Sequence, residues 1–287
     1  MISRHVPYAT RSEISGNMDT SATQKTPRFS FIIVNYQSAA LLPACFSSFR
    51  NISLPKEYEC IVVNNDSREQ SALIALQKKF SFTLLPLDEN RGFGFAVNRG
   101  AEHARGHILM FLNPDARFLS GNLLEVEALF HRHDSLGIIG MKLLVEPEMP
   151  QPWSAGRNVT LCNLLRNHLL LSASAHLWRS SRLRNVDWVS GAALAIPRAL
   201  FFRIHGFNEH FFLYYEDVDL CARMKKLRKK ILFLPHIRVL HRGGGSMDGS
   251  SIRQKLEYDL SQDRYFSLHR PRYEQYFLKL LRKICRV

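Results

Sequence analysis

From residue 29 the chain alternates short apolar runs with stretches whose apolar positions recur every three or four residues. "FSFIIVNY" (29–36) is a near-continuous apolar run, the pattern of a strand covered on both faces, and "ALLPACFSSF" behind it has helical spacing. The unit then repeats. "YECIVVNNDS" is a second strand ending in polar residues, "SALIALQKKF" a second helix, "FTLLPLDEN" a third strand, "GFAVNRGAEHA" the opening of a third helix and "HILMFLNPDA" a fourth strand. This alternation predicts an α/β protein with a doubly wound, mostly parallel central sheet flanked by helices, whose ligands bind beyond the carboxyl ends of the strands.

Those ends read Asn35-Tyr36-Gln37, Asn64-Asn65-Asp66-Ser67, Asp88-Glu89-Asn90-Arg91-Gly92 and Asn113-Pro114-Asp115. A single such stretch is an ordinary turn or helix cap. Four in register along one sheet edge would line a crevice with amides and carboxylates suited to the base and ribose of a nucleotide. Glycines 92 and 94, beside the start of the third helix, leave backbone N–H groups available to an anion. There is no G-x-x-x-x-G-K-[ST] loop, and "RGFGFAVNRG" is not G-x-G-x-x-G in register, so ATPase and dinucleotide-dehydrogenase readings lose their main support.

Residues 146–187 break the pattern, with prolines 147, 150 and 152, Trp153 and scattered arginines predicting an irregular or partly helical insertion, either a solvated surface excursion or a lid over a bound substrate. "DWVSGAALAIPRALFFRIHGFNE" resumes as strand and helix, with Gly191 where a bulky side chain would obstruct the crevice. "FFLYYEDVDLC" (211–221) then sets Glu216, Asp217 and Asp219 directly behind a block of apolar and aromatic residues. Acids in the first turn of "EDVDLCARMKKLRKK" and cations at its far end suit the helix dipole. That does not explain why "FFLYY" brings the acids against an apolar pocket. In "RYEQYFLKLLRKICRV", Tyr273, Tyr276, Phe277, Leu280, Leu281 and Ile284 form a helical stripe flanked by cations. Two fates are open to it: packing on its own domain, or lying on an acidic membrane surface.

Composition narrows the classes. The 287 residues are 46% hydrophobic, enough for a large core, and no apolar stretch approaches the roughly 20 residues of a membrane span. The first 28 residues lack the apolar core of a secretory signal and read as a poorly ordered tail, which argues against export. Cysteines 45, 60, 162, 221 and 285 are odd in number and contain no C-x-x-C pair, as expected of a reducing cytoplasm. The formal charge of +14 favours anionic partners. Without zinc-finger spacing, a basic heptad region or an RNA-recognition strand, nucleic acid is not the expected one.

Taken in order, "IIVNYQS", "VVNNDS", "ENRGFGFAVNRG", "FLNPDA", "VSGAALAIPRALFFRIHGFNEHFFLYYEDVDLC" and "HRGGGS" resemble the inverting glycosyltransferases of family 2, of GT-A fold, in their bacterial rhamnosyltransferase-like branch. The likeness runs from about Phe31 to Ser246. It implies a GT-A domain over 29–250, followed by a basic amphipathic helical segment over 251–287. It also implies that Asn35, Asn65 and Asn90 surround the base and ribose, with Tyr36, Asn64, Gly92, Asn113 and Gly191 in the same nucleotide-sugar site. Where Asn64 stands the family usually carries Asp, so the hydrogen bond is kept and the charge is not. Asp115 takes the metal-ligand role of the family's Asp-x-Asp motif for Mg²⁺ or Mn²⁺, and His241 completes the site. Asp217 corresponds to the catalytic base, Glu216 borders the donor or acceptor sugar, and Asp219 caps or anchors the following helix. The implied donor is dTDP-L-rhamnose, or alternatively a UDP-hexose or UDP-galactofuranose. The implied acceptor is a saccharide or lipid-linked saccharide of surface polysaccharide synthesis, met in the cytoplasm or at the inner face of the membrane. A nucleotide-sugar binding module is the non-enzyme alternative, which the presence of Asp115, Asp217 and His241 counts against.

Overall fold

A computed structural model of the protein describes residues 25–168, 175–243 and 251–285. The expected tail up to residue 24 and the end of "HRGGGS" lie outside the described residues. The first half contains β1 (Phe29–Asn35), α1 (Leu42–Ser47), β2 (Tyr58–Asn64), α2 (Gln70–Gln77), β3 (Thr83–Pro86), α3 (Phe93–His103), β4 (Ile108–Leu112), β5 (Ala116–Ser120), α4 (Leu123–Arg132) and β6 (Leu136–Glu146). The segment 146–187 is built from β7 (Met149–Pro150), β8 (Ala155–Gly156), α5 (Leu161–His168), α6 (Ala175–Trp178) and β9 (Arg184–Val186). Then follow β10 (Trp188–Val189), β11 (Ala193–Pro197), α7 (Arg198–Arg203), α8 (Glu216–Lys226), β12 (Lys230–His241), α9 (Ser251–His269) and α10 (Arg272–Cys285).

The main sheet runs β3-β2-β1-β4-β11-β6-β12-β5. Its first four strands are parallel, and the order reverses about β1, which has β2 on one side and β4 on the other. Both faces of β1 are covered. Phe29, Phe31 and Ile33 enter one core with Leu42 and Phe46 of α1, while Ile32 and Val34 enter the other with Ala96 and Val97 of α3. Double burial is why this strand reads as an unbroken apolar run.

Beyond β4 the sheet is mixed, and this places the site. β11 is antiparallel to β4, so its beginning lies beside the end of β4, and the Asn113 N–H donates to the Ala192 carbonyl at 3.0 Å. β12 is antiparallel to β5 with His241 opposite Ala116, which brings a histidine 126 positions downstream against the Asn113–Asp115 turn. β12 carries Pro235 in its middle. The shift in register between Leu234 and Arg238 accommodates the missing N–H.

A third, smaller core joins Phe211, Tyr215 and Val218 at the start of α8 to Tyr265 and Phe266 of α9, Leu278 of α10 and Val159. Asp219, 1% exposed, accepts from Arg223 Nε at 2.7 Å and from His269 Nε2 at 2.7 Å. It anchors α8 to α9 as well as meeting the charge of its own helix. The cysteines at 45, 60, 162 and 221 are free thiols.

Asp219→Ala should lower stability by about 3 kcal/mol or more, because it leaves Arg223 and His269 without their buried acceptor. The check is a lower urea midpoint at unchanged denaturant slope, with Asp219→Asn losing less.

Candidate active site

One cavity of about 820 Å³ opens along the carboxyl edge of the sheet. Ten of the side chains or backbone positions singled out in the sequence line it: Tyr36, Asn65, Asn90, Gly92, Asn113, Asp115, Gly191, Glu216, Asp217 and His241. Asn35 and Asn64 do not. Both are fully buried beneath it, where Asn35 Nδ2 donates to Asn64 Oδ1 at 3.0 Å and Asn64 Nδ2 donates to Gln70 Oε1 at 3.0 Å. Their place is under the floor, where they fix the ends of β1 and β2. Glu69 completes this layer, accepting from Asn35 Nδ2 and from the backbone N–H groups of Ser38 and Ala39.

Asn65 lies at the surface of the cavity. Its Nδ2 donates to Asn90 Oδ1 at 2.8 Å, and the same oxygen accepts from the Gly92 N–H at 3.0 Å. This leaves Asn65 Oδ1 buried with no partner among the described residues. A buried acceptor in that state costs free energy until a donor reaches it. Gly92 itself has φ +95°, and a Cβ there would stand 2.5 Å from the Phe212 carbonyl oxygen. The Phe93 N–H donates to that carbonyl at 3.0 Å, so glycine is needed for the loop before α3 to meet the loop before α8.

At the other wall His241 Nδ1 lies 2.8 Å from Gln151 Oε1, and Nε2 lies 3.0 Å from Asn113 Nδ2 and 3.4 Å from Asp115 Oδ1. Gln151 Oε1 can only accept and Asn113 Nδ2 can only donate, so the proton is on Nδ1 and the Nε2 lone pair accepts from Asn113 at the cavity wall, where a cation would take its place. Burial lowers the pKa of His241, outweighing the opposing pull of Asp115, and keeps the ring neutral. A neutral imidazole lone pair beside a carboxylate is a fitting donor pair for a divalent cation. Among the described residues no third His, Cys, Asp or Glu joins them. The pair therefore suits a cation that takes its other ligands from phosphate oxygens and water. Gln151, which sets the tautomer, lies in the 146–187 segment and carries no sequence signal of its role.

Glu216 and Asp217 open α8 on an unusual approach. Tyr214 and Tyr215 both have left-handed backbone, with φ +69° and +63°. That conformation costs roughly 1–2 kcal/mol per residue for a bulky side chain. It is held by α9, where Gln262 Nε2 donates to the Tyr215 hydroxyl at 2.7 Å, the Tyr258 hydroxyl lies 3.2 Å away, and Tyr265 packs on the ring. The turn aims the first residues of α8 into the cavity.

The two acids then differ in surroundings. Asp217 accepts the Gly191 N–H on Oδ2 and the Val218 N–H on Oδ1, both at 2.8 Å. These bonds favour its ionised form against the burial that raises its pKa. Glu216 Oε2 has no partner among the described residues, and burial, then the neighbouring Asp217 charge, push its pKa up to about 8. One proton shared by the pair rests on Glu216 and leaves Asp217 as the carboxylate. A methyl at Gly191 would meet Asp217 Cβ at 3.5 Å, an ordinary contact, so only a longer side chain would crowd this corner.

The rim is formed by the 146–187 segment and the C-terminal helices. Trp153, half exposed with φ +59°, lies against Trp178 with ring centroids 5.4 Å apart. Leu161, Leu164 and Leu165 of α5 and Leu278 and Leu281 of α10 make the far end of the cavity apolar.

Comparison with known proteins agrees with this architecture. The profile of "Glycosyl transferase family 2" matches residues 30–191, ending before the acids of α8. An N-acetylglucosaminyl-diphospho-decaprenol L-rhamnosyltransferase of Mycobacterium tuberculosis is 26% identical over 233 residues, covering 73% of this chain and 74% of its own. Two solved structures share the fold at 16% identity. One is a mannosyltransferase from Pyrobaculum calidifontis in complex with GDP-Man and Mn²⁺ (TM-score 0.58), and the other is GalNAc-T7 with UDP, GalNAc and Mn²⁺ (TM-score 0.60). Each is matched over 84% of this chain, which spans 63% and 50% of theirs. With the family profile covering more than half of its 287 residues on a GT-A-like α/β scaffold, the chain belongs to glycosyl transferase family 2 and is an enzyme of that family.

Proposed function

We propose that the protein is an inverting transferase that moves a sugar, L-rhamnose from dTDP-L-rhamnose, onto a lipid-linked saccharide. The observation that carries the catalytic reading is the divided acid pair: within one cavity, Glu216 is placed to hold a proton and Asp217 to take one. The rhamnosyl donor and lipid-linked acceptor rest on the Mycobacterium tuberculosis relative. A base with a ring N–H, such as thymine or uracil, suits the orphaned Asn65 Oδ1.

The acceptor hydroxyl attacks the anomeric carbon from the face opposite the nucleotide. As the C–O bond forms, Asp217 accepts the hydroxyl proton, and the bond to the nucleoside diphosphate breaks with its electron pair leaving on the phosphate oxygen. The Gly191 and Val218 N–H groups hold the Asp217 oxygens in fixed directions for that transfer. Glu216, protonated, offers a hydrogen-bond donor to a sugar hydroxyl. Asp115 and His241 are the residues that would hold Mg²⁺ or Mn²⁺, a charge that stabilises a departing diphosphate. Asn65, Asn90 and the Gly92 loop hold the nucleoside end, and the 146–187 segment borders the acceptor.

Asp217→Asn should lower the transfer rate about 10²- to 10⁴-fold while donor affinity is kept, because the amide cannot take the proton. Rate and donor dissociation constant, measured with Glu216→Gln as the milder comparison, check this; near-normal turnover of Asp217→Asn would remove the base assignment. Asp115→Ala should abolish stimulation by Mg²⁺ or Mn²⁺, and a variant that titrates with metal like the parent would remove the ligand assignment. The acid pair also predicts a pH dependence of stability. The unfolded chain ionises Glu216 near its ordinary value while the folded chain keeps the proton up to about 8. Stability is therefore lost as pH rises from about 4.5 through about 8. Glu216→Gln lacks this loss, so its melting temperature should gain on the parent steadily from pH 5 to about 8.

A further inference from the structure

Four residues of the apolar stripe of α10 point away from the face that packs on the domain, while Leu281 turns toward it. Inward, α10 presents Glu274, Leu278, Leu281 and Arg282. Glu274 is held by Arg270 and accepts the Leu161 N–H, and Arg282 bonds Asp263 and Gln262 of α9. Outward, at i, i+3, i+4 and i+7, Tyr273, Tyr276, Phe277 and Leu280 are 61, 66, 48 and 37% exposed. The helix therefore docks through two partly buried ion pairs and two leucines, and leaves its strongest apolar row in solvent. Four large apolar side chains in one row on a soluble face call for a partner.

The charge beside the row indicates which partner. Arg272, Lys279 and Lys283 are exposed, and none is in an ion pair among the described residues. The only acid of α10, Glu274, faces inward. An apolar row with two tyrosines, bordered by cations and no anion, has the composition of a helix lying in the surface of an anionic bilayer. The same helix walls the apolar end of the cavity through Leu278 and Leu281, opposite Leu161 and Leu164 of α5. Docking and cavity thus share one element.

We propose that α10 lies in the surface of an anionic bilayer, with Tyr273, Tyr276, Phe277 and Leu280 at the headgroup boundary, and that the cavity's apolar end receives the chain of an amphiphilic acceptor from that bilayer. The second half rests on the transferase reading; the docking itself does not.

The test uses the full chain without donor sugar, mixed with vesicles of phosphatidylcholine alone or with about a third phosphatidylglycerol, and separated by flotation. The parent protein floats with the anionic vesicles, barely with the neutral ones, and is released by added salt. Lys279→Glu with Lys283→Glu weakens binding to anionic vesicles ~30-fold or more. Tyr276→Ser with Phe277→Ser weakens it ~10-fold or more, and Phe277→Leu retains it. The lysine pair is fully outside the fold, so it decides the matter even if the serine pair lowers the unfolding midpoint. Absence of parent binding, equal binding to neutral vesicles, or parent-like binding by the lysine pair overturns the proposal. So does a lipid-free dimer that the serine pair dissociates, since a second copy would then be the partner. If docking holds while no transfer is detected with any donor, the transferase reading fails and the membrane face stands. If both hold, the lysine pair should transfer to a water-soluble acceptor at the parent rate.

Discussion

The tether between α8 and α9 is the contact on which the rest of the site depends. Two left-handed tyrosines are a poor way to enter a helix, and an isolated chain would relax them at once. They persist because Gln262 and Tyr265 clamp Tyr215 while His269 reaches Asp219 one turn further along. The entry angle so enforced turns Glu216 and Asp217 into the cavity instead of along the protein surface. The C-terminal helices are therefore part of the scaffold that shapes the cavity, although they contribute no residue to the acid pair.

A second ordering principle is electrical asymmetry between near neighbours. Adjacent buried acids are set apart by two backbone donors on Asp217 and none on Glu216 Oε2, and the Asp217 charge adds to the difference. At the opposite wall, His241 is kept uncharged by burial and given its tautomer by Gln151. In a chain of formal charge +14, no Lys or Arg among the described residues is ion-paired to Asp115, Glu216 or Asp217. The excess positive charge stays on the surface, where it can act on anionic partners at a distance.

Much of this was legible from local pattern. Strands buried on both faces announce themselves as continuous apolar runs, and polar residues closing four of them marked one edge of the sheet. Local pattern could not distinguish an amide that lines a cavity from one that supports its floor, because Asn35, Asn64 and Asn65 occupy equivalent strand ends. Only the partner of each amide separates them, and Glu69, Gln70 and Asn90 lie up to 34 positions away. The stripe of α10 shows the opposite limit. Its periodicity was plain, but periodicity does not say which face packs, and here the packed face contains Glu274 and Arg282, residues that no hydrophobic pattern would assign to an interior. Pairing with Arg270, Asp263 and Gln262 makes their inward placement possible.

The family profile ends at Gly191, yet Gly191 is bonded to Asp217, and Asp217 opens a helix held by residues as far along as His269. Modularity in this molecule consequently follows contacts and ignores the boundary of recognisable sequence. Exchanging acceptor specificity between relatives by swapping the segment after the matched region would succeed only if α8, β12, α9 and α10 travelled together. A graft that took the acids and left the C-terminal hairpin behind would carry two carboxylates without the lever that points them.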